Sequence, residues 1–129
     1  MSWDLQHQPG EDTVQVTISG HLSDAEAKEL VKGAIAEVKR DGASGVLVDC
    51  RNVERGPSLA AVYWLVHDYP NLGLPRNVRV ALIQPEKQQP GEVAQFYVVA
   101  SSNQSYQAEL FPSREAAEAW LHSAKLAAI

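Results

Sequence analysis

One cysteine in 129 residues, Cys50, has nothing to pair with inside the chain, so no intrachain disulfide braces this fold. A reducing compartment fits that usage. Basic residues are few, 11 Lys and Arg against 16 Asp and Glu, for a net charge of −5 and no basic block. Nucleic-acid binding needs clustered cations to neutralise phosphates, and that cluster is missing. No apolar run approaches the roughly 18–20 residues that span a bilayer. The opening MSWDLQHQPGED lacks the basic and apolar segments of a secretory signal. A cytoplasmic protein is the expectation. Also missing are a Gly-x-Ser-x-Gly elbow, a phosphate loop and a dinucleotide fingerprint; Gly42, Gly45 and Gly56 fit neither glycine spacing. The four histidines form no i,i+4 pair and have no cysteine at zinc spacing. No cofactor, no metal and no enzymatic activity are expected.

What the chain does have is enough apolar material, 45% of its residues, for one domain over residues 1–129. Residues 3–8 are a weak strand candidate, followed by the turn-rich Pro9-Gly10-Glu11-Asp12. In 13–19, Val14, Val16 and Ile18 alternate with Thr13, Gln15, Thr17 and Ser19, the period of a half-buried strand that can form a hairpin with the first. Ser23 and Glu26 make a capping box, with Asp24 and Glu26 at the positive end of a helix dipole. Ala27, Leu30, Val31, Ala34, Ile35 and Val38 then mark one apolar stripe to about Arg40, with Gly42 just beyond.

The continuous apolar run from Gly45 to Cys50 is that of a strand covered on both faces. A loop over 51–58 follows, and then a helix with Leu59, Val62, Tyr63, Val66 and Tyr69 on its buried stripe, stopped at Pro70. Residues 77–83 form another strand, with Arg79 placing it near a sheet edge or end. Pro90 to about Ser101 is the least regular helix, with Val93, Ala94, Tyr97 and Val98 inward. Tyr106, Ala108 and Leu110 alternate in a last strand through Phe111. Ser113 caps a final helix whose face is Ala116, Ala117, Trp120, Leu121 and Ala124. The order is ββαβαβαβα, a mostly parallel five-stranded sheet with four helices and right-handed crossovers.

Three stretches resemble the STAS domain of bacterial anti-sigma-factor antagonists, in its stand-alone SpoIIAA-like form. Ile18-Ser19-Gly20-His21-Leu22-Ser23, with Ala27 and Leu30, is similar to that family's strand ending in Gly-x-Leu-Asp before a helix; Ser23 stands at the Asp, with Asp24 beside it. In the second stretch Asp49 ends a strand and Ser58 lies 9 residues on, where the family carries a phosphorylatable Ser or Thr. Pro57, Leu59 and Ala60 replace the rest of its Asp-Ser-Ser-Gly-type motif. The third runs from Val99-Ala100-Ser101-Ser102-Asn103 into Leu110-Phe111-Pro112-Ser113 and the helix ending Ala119-Trp120-Leu121, and resembles the ending of small stand-alone members.

The resemblance implies an α/β, STAS-like single domain acting as a non-enzymatic regulatory or protein-binding module. Such a module presents the 51–58 loop and the following helix start to a partner, such as a regulatory kinase or an anti-sigma-type protein. Ser58 is the phosphoacceptor-like residue, with Asp49, Asn52 and Gly56 around it. As residues alone, Ser58 is a helix N-cap and Asp49 a carboxylate binding backbone N–H groups at a strand end. A helix start also suits an anion or an added phosphate. Trp64 and His67 lie off the core stripe and suit a partner or ligand surface, or a homodimer through that face or the hairpin edge. Cys50 with His67 can be drawn as nucleophile and base, although a cysteine at a buried strand is more often inert. The alternative function is a carrier of a small apolar or amphipathic, lipid-like ligand, covered by the aromatic stretch 59–72.

Overall fold

A computed structural model describes residues 2–6 and 12–127, the last four of these through the backbone alone. The elements run β1 (Trp3–Gln6), β2 (Thr13–His21), α1 (Asp24–Asp41), β3 (Gly45–Arg55), α2 (Leu59–His67), α3 (Tyr69–Leu72), β4 (Arg79–Ile83), α4 (Gln88–Asn103), β5 (Gln107–Phe111) and α5 (Arg114–Ala127). One five-stranded sheet has the order β1-β2-β3-β4-β5. β2, β3, β4 and β5 pair in parallel, and β1 adds an antiparallel edge. The sheet is therefore mixed rather than mostly parallel. The expected strand over 3–8 is seen as Trp3–Gln6, with residues 7 and 8 outside the described ones.

Strands laid down in sequence order with right-handed crossovers put every connecting helix on one face. α1, α2, α3 and α4 accordingly share a core with Val14, Val16, Val46, Val80 and Ala108. α5 has no strand to return to. It crosses to the opposite face and buries Ala117 and Leu121 on Leu47, Ala81 and Ile83. β3 is thus apolar on both faces where α5 reaches it, which is why its first half lacks alternation.

α1 is built as its residues dictate. Ser23 accepts from the backbone N–H of Glu26, the Glu26 carboxylate accepts from the Ser23 N–H, and Gly42 closes the helix at φ 65°. The left-handed conformation at that cap is one glycine adopts without strain.

Three expectations are corrected. β3 does not end at Asp49 but runs on to Arg55, so the connection to α2 shrinks from 51–58 to Gly56, Pro57 and Ser58. The cause is pairing: Ser19, Gly20 and His21 of β2 are matched by Asn52, Val53 and Arg55 across two register shifts, and Val53 is buried. This two-stranded ribbon projects past Ile83, the last residue of β4 in register with β3. Second, the described residues form five helices instead of four, because Pro70 sits in the first turn of a separate short helix, where its missing N–H costs nothing. Third, Leu59 and Tyr63 are not on the buried stripe of α2; Val62, Val66 and Tyr69 are buried, and Leu59 and Tyr63 are about half exposed, at 48% and 47%.

Candidate functional site

The projecting ribbon brings the starts of α1 and α2 side by side at the C-terminal edge of the sheet. Ser58 caps α2 by accepting from the Ala61 N–H at 3.1 Å. The same residue is gripped from α1: its N–H and its hydroxyl donate to the two Asp24 oxygens at 2.8 and 3.0 Å. Asp24 and Ser58 are 34 residues apart and both are exposed. One carboxylate thereby clasps two helix starts together. His21, Ser23, Arg55 and Gln89 line the shallow cleft around them.

The loop that delivers Ser58 is buried and hydrogen-bonded to α4. Gly56 is buried, its N–H donates to Gln89 Oε1 at 2.8 Å, and its Cα side lies against Val93. Pro57 is buried beside it. An ion pair between Lys87 and Glu54 ties the ribbon to the start of α4.

From Ser58 the outer side of α2 continues as an aromatic surface. Trp64 is 63% exposed. Tyr63 and Trp64 meet edge to face at 5.2 Å, Tyr63 and His67 stack at 6.1 Å, and Trp64 and His67 meet edge to face at 5.8 Å. Successive turns of one helix hold the three rings together, so the surface is preorganised. Leu59 extends it toward Ser58.

The structure thus brings Ser58, Gly56, Trp64 and His67 to one end and one helix. Asn52 is exposed on the ribbon. Asp49 is elsewhere. It lies mid-strand on the α5 face, where the Arg51 guanidinium donates to both of its oxygens at 3.0 and 2.7 Å and Arg114 approaches at 3.4 Å. Hydrogen bonds from Arg51 hold its carboxyl below the ordinary value, outweighing burial. Cys50 faces the opposite layer and is buried; desolvation pushes its thiol up to about 12, which keeps it protonated and unreactive at neutral pH. His67 is on the outer side of α2, so the two make no nucleophile–base pair. Among the described residues, no three His, Cys, Asp or Glu side chains are grouped to hold a metal. No helix among them is long and apolar enough to cross a membrane.

Sequence reasoning missed Asp24 as the partner of Ser58, and Arg51 and Arg114 as the partners of Asp49. The Asp49–Arg51 pair had a signal: i,i+2 residues on one strand share a face. The Asp24 contact had none, being set by where β2 and β3 end.

An open sheet in strand order 1-2-3-4-5, with an antiparallel first strand and crossover helices on one face, defines a SpoIIAA-like α/β fold. Solved structures agree. The anti-sigma factor antagonist SpoIIAA in its unphosphorylated form matches with a TM-score of 0.57 and 16% identity, over 93% of this chain and 97% of that one. An anti-sigma factor antagonist from Mycobacterium paratuberculosis matches with a TM-score of 0.62 and 16% identity, over 94% and 95%. An uncharacterized protein with a SpoIIAA-like fold from Shewanella loihica PV-4 matches with a TM-score of 0.54 and 18% identity, over 92% and 91%. No family model matches the chain, and no curated protein matches it in sequence. The STAS resemblance read from the residues holds at the level of the fold.

Proposed function

We propose that the chain is a regulatory module that acts by binding another protein, and that it does so with Ser58 and the outer side of α2. The observation that carries this is the run of exposed Leu59, Tyr63 and Trp64 on the helix that Ser58 caps. Such residues are costly to leave in water and are those that anchor interfaces. The likeness to anti-sigma factor antagonists supports a regulatory kinase or anti-sigma-type protein as the partner. Gly56 fixes the approach to Ser58, and Asn52 extends the surface along the ribbon. Asp49 holds α5 and takes no part.

Phosphorylation of Ser58 is the switch in this reading. It removes the O–H that donates to Asp24 and places roughly −1.5 to −2 charges beside that carboxylate. The helix starts favour the anion, Asp24 opposes it, and the clasp between α1 and α2 opens. The new charge also borders the aromatic surface and discourages an apolar or acidic partner. A second copy of the chain is the other occupant of the same surface.

The test is the affinity of the immobilised chain for purified anti-sigma-type serine kinases from the same genome, with light scattering to count copies. Trp64→Ala is expected to weaken binding at least about tenfold, as for a central aromatic anchor. Ser58→Asp does the same, and Ser58→Ala retains binding. Unchanged affinity in Ser58→Asp removes the switch, and unchanged affinity in Trp64→Ala removes the surface.

A further inference from the structure

The helix-side core contains an unfilled space of about 160 Å³ between the inner stripe of α1, the sheet and the undersides of α2 and α4. Its wall is apolar throughout: Leu30 and Ile35 from α1, Val48 and Leu82 from the sheet, Val62 from α2 and Val93 from α4 are representative. Among the described residues, no charged side chain lines it. Of the side-chain polar atoms on it, the Tyr69 hydroxyl already donates to that of Tyr97 at 2.9 Å, and the remaining one is the Cys50 thiol.

The exposure of the residues on its floor marks where the space lies. Val48 is at the middle of the central strand with its side chain toward the helices. Its neighbours across the sheet, Val16 and Leu82, are 2% and 6% exposed, and Val46 and Cys50 on its own strand are 6% exposed. Val48 alone among them is only half-buried. A well-packed core leaves no such gap over its central residue. The seam above it runs between α1 and α2, where Val31, Ala34 and Leu65 are also half-buried.

From these features we infer that this space is a binding site for a small, uncharged, apolar molecule the size of one aromatic ring or a short alkyl chain. The size decides the class. Drug-sized ligands occupy about 300–1,000 Å³, whereas a dry apolar cavity of about 150 Å³ takes up benzene or xenon. The wall offers no counter-charge, so a carboxylate or ammonium group has no charged partner inside. The guest is much smaller than that of the lipid-like carrier given as the alternative function from the sequence. α1 provides more of the roof than the 59–72 stretch does. The site lies beneath α2, with Gly56 and Val62 on its wall, while the protein-binding surface is on the outer side of the same helix.

Methyl-resolved NMR of the full chain titrated with toluene tests it, with benzoate as the charged counterpart. Saturable shifts are expected at the methyls of Leu30, Val48, Val62 and Leu82 with toluene and not with benzoate. The thermal midpoint is expected to rise with toluene concentration, as for any ligand of the folded state. Val48→Phe fills the space with its own ring and is expected to abolish the shifts. Should that variant fail to fold, Val48→Leu is expected to weaken toluene binding several-fold. No toluene shift in the wild type, shifts that persist in folded Val48→Phe, an affinity unchanged in Val48→Leu, or equal shifts with benzoate each overturn the inference.

Discussion

Asp49 and Cys50 are adjacent on β3 and face opposite layers, so one peptide bond separates an ion-paired carboxylate from an inert thiol. The carboxylate is the more consequential. Its ordinary value is 3.8, and the hydrogen bonds from Arg51 lower it in the folded chain. Between the folded and unfolded values the unfolded chain binds more protons, so stability rises with pH there. The contribution of Asp49 is complete above about pH 5 and disappears as pH falls through the lowered folded value. Replacing Asp49 by Asn should therefore cost about 1 kcal/mol at pH 7, the modest figure following from the half-exposed Arg51 partner. The stability gap between the wild type and the Asp49→Asn variant should close on acidification from about pH 5 to about pH 2, measured by urea unfolding at each pH. A gap that stays constant would mean that Asp49 does not titrate with folding.

Between elements, the joint that matters is the one at which α1 and α2 begin. Asp24→Ala removes both bonds to Ser58 but leaves Ser58 capping Ala61, and should cost about 1 kcal/mol. Ser58→Ala removes the cap and the hydroxyl bond to Asp24 but keeps the backbone N–H bond, and should cost roughly 0.5–2 kcal/mol, the range of lost N-caps. Because the two residues share one interaction, the double variant should cost less than the sum of the singles. Strictly additive urea-unfolding energies would show that the hydroxyl–carboxylate bond contributes nothing. This joint also marks where the sequence stops being informative. α1 was legible from Ser23, Glu26, its stripe and Gly42, since all of its determinants are local. The tail of β3 was not: Arg51, Asn52, Glu54 and Arg55 are polar, and only pairing with the end of β2 makes them a strand. Ser58 was legible as a cap and Trp64 as an off-stripe aromatic, because a helix displays both in its periodicity. Asp24 beneath Ser58, and Tyr63 and Leu59 turned outward, depend on how helices sit on a sheet, which no local pattern records.

For the molecule as a whole, the two faces of the sheet are closed differently. On one, α5 lays Ala117 and Leu121 directly on Leu47, Ala81 and Ile83, three residues from which water is excluded almost completely. On the other, the stripe of α1 looks into the apolar space over Val48. Lifting α1 from its place therefore breaks fewer close contacts than disrupting β3, even though α1, at 18 residues, is the longest element among the described residues. Local opening free energies follow buried apolar contact. Native-state hydrogen exchange should find the amides of Leu30 to Ile35 opening roughly tenfold or more often than those of Val46 to Cys50, which should exchange only on global unfolding. Asp24→Ala, which frees the start of α1 from that of α2, should make the first hydrogen-bonded amides of α1, from Ala27 to Val31, open more often. Equal opening free energies along α1 and β3 would mean that the domain unfolds as one unit and that the space above Val48 does not weaken the α1 face.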